Sequence, residues 1–283
     1  MIGYFVSYIF ILLHDFVHYF EGSSGTLKLL FCILIKPFHC MRNTFYIVII
    51  FYSISIFSKD EIEQRGEKAS ECILFVHGFL RLSSQLKRIG DYFLRYGYSV
   101  HYIDYVSRVN RIEEISDIYV LPAVKLKCVN HDKIHFVTHS AGGVIVRYFL
   151  GKYHLENLGR IVMLAPPNKG SEVADFLSQF SFINCLLGPM LKELRTDKTS
   201  FVNSLELPNY EYGVIMGNST LDPISSMIIP DDDDGRVSID KSRLANMKDF
   251  LLVNRTHTFI MDAAEVQQAS LNFIQTGRFL KFE

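Results

Sequence analysis

The feature that most constrains this chain is an alternation that begins at Glu71. Short apolar runs ending at a glycine or a polar residue take turns with longer stretches whose apolar residues recur at helical spacing. "CILFVHG" (72–78) reads as a buried strand. Leu86, Ile89, Phe93 and Leu94 then form a helical stripe over Ser83–Tyr96, closed by Gly97. "YSVHYIDY" (98–105) is a second strand, and Ile112–Val129 a second helix with a break expected at Pro122. "IHFVT" (134–138), a helix over Ala141–Tyr153 and "RIVMLA" (160–165) continue the series. Much later, "FLLVNRTHTFIM" (250–261) reads as a strand running into a loop. Such alternation implies right-handed crossovers, so it predicts an α/β fold with a mostly parallel central sheet and helices on both faces. Sites in such sheets form beyond the carboxyl ends of the strands. Gly78, Ser140 and the prolines at 166 and 167 are therefore expected along one edge.

The chain ahead of this alternation is of another kind. Of its 29 basic and 30 acidic residues, residues 1–58 hold only Asp15, Glu21, Lys28, Lys36 and Arg42. Met1–His14 is apolar apart from Ser7 and His14, and Asn43–Ser58 carries no formal charge. Neither run reaches the ~20 residues that cross a hydrocarbon core. Around Met41 the order is a start-capable methionine, a cation at Arg42, an apolar run over Thr44–Phe57 and then polar sequence. That is the anatomy of a signal peptide or an uncleaved anchor, and Ser53-Ile54-Ser55 offers a small-x-small cleavage site. Residues 1–58 are read as an apolar signal or membrane-anchor region, 59–70 as a charged linker and 71–283 as the folded domain. The expected location is exported or membrane-anchored. On the blander reading, residues 1–58 form two short apolar helices on or in a membrane.

A net charge of −1 excludes a strongly basic nucleic-acid surface. The five cysteines (Cys32, Cys40, Cys72, Cys128, Cys185) have neither CxxC nor CxxH spacing, which argues against metal and redox motifs. Their odd number leaves at least one unpaired in a monomer, and loss of the first two leaves three.

Ser140 follows one predicted strand directly and opens a helix, the strand–turn–helix setting of a nucleophile elbow. Gly142 and Gly143 supply small residues on the helix side. Thr138 stands where the familiar G-x-S-x-G pattern has its first glycine, at a strand end that suits a β-branched residue. Alone, Ser140 could equally be a helix N-cap. His77-Gly78 ends the first strand, where the backbone N–H of Phe79 could join that of Ala141 as a pair of oxyanion donors. A serine also needs a base and an orienting acid. The aspartates of "DDDDGRVSIDKSRL" (231–244) and then His257 follow in the order Ser, Asp, His.

Six segments in order, "ILFVHGF", "IDYVSR", "VTHSAGGVIVR", "LAPPNKGSEVAD", "DGRVSIDKSRL" and "THTFIM", resemble the bacterial lipase/esterase branch of the α/β-hydrolase superfamily over about residues 71–262. The resemblance implies the α/β-hydrolase fold with a short lid insertion. It implies Ser140 as nucleophile, Asp234 (in an Asp-Gly-x-Val element) as acid, His257 as base, Phe79 and Ala141 as oxyanion donors, and no cofactor. The departures are Thr138 and Leu80, the latter where relatives often carry glycine. The other aspartates of the run read as solvated loop charges or a calcium site. His131, His135 and His139 are four apart on or beside a strand, roughly 13 Å from one to the next, and cannot share a metal. His139 is expected to pack or hydrogen-bond beside the elbow, and His77 to buttress the oxyanion loop.

Between about 171 and 209, Phe176, Phe180, Ile183 and Leu187 follow helical spacing up to Gly188-Pro189. They read as a lid with an acyl-binding face, or as an ordinary helix packed on the sheet. The function expected is cleavage of carboxylic esters, lipid-like ones in particular, with a membrane engaged through residues 1–58. No obligate protein partner is evident. The alternatives are an acyltransferase or thioesterase on the same three residues, and an inactive hydrolase fold serving as a membrane-tethered binding module.

Overall fold

The structure, a computed structural model, describes residues 70–220, 227–230 and 232–281. The expected anchor region and all of the linker except Ser70 lie outside the described residues. Six strands form one sheet in the order β2-β1-β3-β4-β5-β6. They are β1 (Glu71–Val76), β2 (Ser99–Ile103), β3 (Lys133–His139), β4 (Leu158–Leu164), β5 (Tyr212–Gly217) and β6 (Asp249–Val253). Every pairing is parallel.

Both faces are covered, which is why the strands read as continuous apolar runs. Ile73 and Phe75 of β1 and Val137 of β3 pack on one face with Leu86, Ile89 and Phe93, and with Val266, Ala269 and Phe273. The first three of those partners belong to a 3₁₀ turn (Ser83–Leu86) and α1 (Lys87–Arg95). On the other face Phe136 meets Phe149, with ring centroids 6.1 Å apart.

The helix expected to break at Pro122 does not break. α2 (Ile112–Ile115) widens into one π turn (Ser116–Val120) and continues as α3 (Leu121–Lys127). Proline lacks the N–H and crowds the carbonyl four residues back, and a single wide turn ahead of it relieves both problems. α4 (Ala141–Lys152) follows β3 with only Ser140 between them. A register shift between β3 and β4 lies at His135, whose ring fills the space a Gly159 side chain would need.

Between β4 and β5 the expected single amphipathic helix is two. α5 (Glu172–Ser178) stops, Phe180 adopts extended backbone, and α6 (Ser181–Leu187) begins anew. Ile183 and Leu187 are buried while Phe176 and Phe180 are half-buried, so the stripe is partly a packing face. α6 turns Phe182 and Leu186 outward instead, 55% and 47% exposed. α7 (Met190–Glu193) and α8 (Phe201–Ser204) complete the insertion. After β5 come α9 (Ile239–Ser242), β6 and α10 (Ala264–Thr276).

Cys72 and Cys128 form a disulfide across a sequence separation of 56, with Cα atoms 5.7 Å apart, and Cys185 is free. Closing a loop of that length constrains the unfolded chain by ~4 kcal/mol in the chain-entropy account. The double variant Cys72→Ala/Cys128→Ala is therefore expected to unfold at lower urea concentration, by up to about that free energy. Reductant should lower the wild-type midpoint and leave that of the variant unchanged.

Candidate active site

The site begins with register. Val76 pairs with Thr138, and His139 with Leu164, so β1, β3 and β4 end together. At that edge the chain turns sharply through Ser140, at φ 53 and ψ −128, a conformation that costs a non-glycine residue ~1–3 kcal/mol. The turn is held by Ser140 N–H donating to Leu164 O (2.8 Å) and Gly143 N–H donating to Ser140 O (3.0 Å). Gly142 must lack a side chain: a Cβ there would lie 2.3 Å from Val76 O and 2.6 Å from His77 O. At Gly143 a Cβ would meet Thr138 Oγ1 at 3.3 Å. The threonine therefore fits because its neighbour is a glycine, and its hydroxyl donates to Val162 O (3.4 Å).

Gly78 lies directly against the serine, since a Cβ on it would be 2.8 Å from Ser140 Cβ. Among the described residues neither the Phe79 N–H nor the Ala141 N–H has an acceptor. Ala141 is the first residue of α4, where an N–H has no intrahelical partner. Leu80 takes a left-handed φ of 55, which explains why glycine suits that position, and its N–H donates to Ser107 Oγ (2.9 Å). His77 supports the loop from below. Its ring stacks on Tyr105 (3.9 Å, 9°) and its Nδ1–H donates to Gly78 O (2.9 Å), while the Tyr105 hydroxyl donates to His77 O. Burial lowers the His77 pKa to about 4, so the ring is neutral.

Opposite stand Asp234 and His257. His257 Nδ1–H donates to Asp234 Oδ2 (2.7 Å), and the carboxylate is fully buried. Asp234 Oδ1 accepts from Arg236 N–H and Val237 N–H, both at 3.0 Å, so the Asp-Gly-x-Val turn aims the carboxylate. His257 N–H donates to Asp234 O (2.8 Å). The neighbouring Asp233 is not a solvated loop charge. It is buried, with its Oδ1 accepting from Gly235 N–H, because a turn this tight needs its own side-chain acceptor. Asp232 is exposed.

The structure thus joins Asp234 to His257 and sets Gly78, Phe79, Ser140 and Ala141 side by side. No hydrogen bond joins Ser140 Oγ to His257 among the described residues; such contacts often tighten only with substrate bound. His139, next to the serine, donates from Nε2 to His257 O (2.9 Å), a link that sequence spacing could not indicate. Tyr105 and Ser107 were also missed, although their position just after β2 puts them on this edge. Phe176, Phe180, Ile183 and Leu187 remain in the insertion, two of them buried as described. A cavity of about 420 Å³ adjoins the loop after His257, lined by Gln85, Arg88, Thr258, Phe259 and Asp262 among others. Neither Ser140 nor His257 is among its lining residues.

No protein-family model matches the chain, and no curated protein does. Solved structures do. A Bacillus licheniformis lipase, BlEst2 in its mature form, superposes with a TM-score of 0.59 at 20% identity, over 77% of this chain and 96% of that one. The metagenomic carboxyl esterase MGS0156 gives 0.57 at 19%, over 72% and 69%. The Staphylococcus hyicus lipase gives 0.53 at 14%, over 70% and 91%. At such identities the likeness establishes the fold, which is the α/β-hydrolase fold.

Two outcomes follow from this geometry. Ser140→Gly should raise folding stability by about 1 kcal/mol in urea titrations, because relieved backbone strain outweighs the entropy of the added glycine. Second, His77 sits at about 4 against the usual 6.5, so between those values the unfolded chain binds a proton that the folded chain does not. Stability should fall as pH drops through that window, and His77→Gln should lose part of the slope.

Proposed function

We propose that this chain is a serine hydrolase that cleaves carboxylic esters through Ser140, Asp234 and His257, and that its substrates are lipid-like. One arrangement supports this above the others. A buried carboxylate holds the imidazole of His257 on the same sheet edge as a half-buried serine in a strained turn. In the mechanism Ser140 Oγ attacks the ester carbonyl carbon while His257 Nε2 takes its proton. Asp234 keeps the proton of His257 on Nδ1 and stabilises the imidazolium. The oxyanion rests on the N–H groups of Phe79 and Ala141, each donor of this kind contributing ~10²–10³ in rate. The alcohol leaves with the proton from His257. Water then attacks the acyl-enzyme by the same route in reverse and releases the acid.

Exposed apolar side chains favour a lipid-like acyl group: Phe259, two residues after His257, is 56% exposed, and Phe182 and Leu186 are exposed on α6, whose Leu186 O accepts from Arg108 in the segment after β2. The proposed location is exported or membrane-anchored through residues 1–58. The Cys72–Cys128 disulfide favours an oxidising compartment.

A fluorophosphonate probe should label the wild-type protein and fail to label Ser140→Ala. Asp234→Asn should lower kcat for a chromogenic ester by ~10⁴, as loss of the correct imidazole tautomer does in such triads. An unlabelled wild type, or equal labelling of Ser140→Ala, would overturn the assignment. Product analysis with water, alcohol and thiol acceptors separates hydrolysis from acyl transfer.

A further inference from the structure

His257 is suspended at three points. Its Nδ1–H meets Asp234 Oδ2 at 2.7 Å and its backbone N–H meets Asp234 O at 2.8 Å. The third tie is its own carbonyl, which accepts from His139 Nε2–H at 2.9 Å across 118 residues of sequence. The first two ties fix His257 relative to Asp234. Neither fixes it relative to Ser140, which makes no hydrogen bond to it.

His139 has the position to do so. It is covalently joined to Ser140, and it is the last residue of β3, paired with Leu164 in the sheet. Its side chain is 1% exposed, and its ring centroid lies 4.9 Å from that of His257. A Cβ on Gly78 would lie 3.3 Å from His139 Nδ1, so the ring also backs the loop that carries Phe79. Donation from Nε2 to a carbonyl requires the proton on that nitrogen. Burial first, and then the neighbouring positive charges of His257 and Arg81, hold the His139 pKa well below its ordinary value. The ring therefore stays neutral while His257 cycles through its charged form.

We infer that His139 is a positioning residue for ester cleavage: its Nε2–H···O=C bond to His257 ties the base to the strand that carries the nucleophile and sets the distance between them. This rests on the triad assignment above. Misplacing a reacting group by about 1 Å can cost ~10²-fold in rate, which is the scale on which such a tie matters. A residue that merely fills space would be replaceable by any side chain of similar volume. A positioning donor is replaceable only by another donor at the same reach. Glutamine places its amide nitrogen near where Nε2 stands, whereas leucine fills the space without donating.

The test compares wild type, His139→Leu and His139→Gln by fluorophosphonate labelling rate, by kcat and KM for a short-chain chromogenic ester, and by thermal melting. His139→Leu should lose tenfold to a hundredfold in kcat and in labelling rate, with KM within about twofold of wild type. His139→Gln should recover most of that loss. Wild-type kcat in His139→Leu would overturn the inference, as would equal losses in two variants that both melt like wild type. Should His139→Leu fail to fold, His139→Gln decides alone: kcat within about threefold of wild type supports the tie, and a loss of tenfold or more overturns it. A wild type that the probe does not label is a failure of the triad assignment itself, and is thereby told apart from a failure of this inference.

Discussion

Everything at the carboxyl edge depends on how closely the start of α4 lies against the end of β1. With no side chain on Gly142, the helix comes down on the carbonyls of Val76 and His77, where a Cβ would stand 2.3 Å and 2.6 Å away. That contact puts the first N–H of α4 beside the Gly78–Phe79 turn and leaves Ser140 no relaxed conformation. The strained serine, the two N–H groups without an acceptor among the described residues and the contact of Gly78 with Ser140 are consequences of one close approach. Strain of ~1–3 kcal/mol at Ser140 is sustainable because the sheet and helix on either side over-determine it.

Electrostatically, burial decides the state of two of the site's three histidines. His77 under the loop and His139 behind the serine are held neutral by it, with Arg81 adding to the effect at His139. Each uses its one N–H on a backbone carbonyl, Gly78 O in one case and His257 O in the other. Only His257 faces a carboxylate. Asp234 in turn accepts two backbone N–H bonds as well as the imidazole, the satisfaction a buried carboxylate requires. A neutral His139 can donate to the His257 carbonyl without placing a second positive charge 4.9 Å from the His257 ring.

What the sequence made legible is what short-range periodicity encodes. The first four strands, α1, α4 and the strand before His257 are visible as apolar runs and stripes, and the edge that gathers Gly78 and Ser140 follows from their alternation. β5 leaves a weaker mark, because short helices and irregular chain separate it from the stripe that ends at Leu187. The stripe at Phe176, Phe180, Ile183 and Leu187 has helical spacing, yet spacing cannot reveal that Phe180 turns to extended backbone and starts a second helix. Pro122 signalled trouble correctly, but whether a helix stops or widens by one turn is settled by what packs around it. Asp233 and Asp234 look alike in a run of four, and only the fold of the turn decides which caps it and which faces His257. Contacts such as His139 to His257 connect residues 118 apart and leave no mark in local pattern.

The two departures from the familiar pattern are of different physical kinds, and the difference says what each position demands. Thr138 is a question of volume. Its side chain occupies space left open by Gly143, one turn into α4, and its hydroxyl finds Val162 O, so the pair Thr138–Gly143 does what a glycine in the strand does elsewhere. Leu80 is a question of backbone. Its φ of 55 is one that any side chain resists, and no exchange of volume with a neighbour removes that cost. What holds it is the Ser107 hydroxyl on its N–H, together with the Arg81 N–H bond back to Gly78 O that closes the turn. Enlarging Gly143 should therefore disturb the elbow through Thr138, whereas replacing Leu80 by glycine relaxes the loop without altering any contact at Ser140. A missing glycine thus becomes a defect only where the backbone, rather than the packing, is what the glycine served.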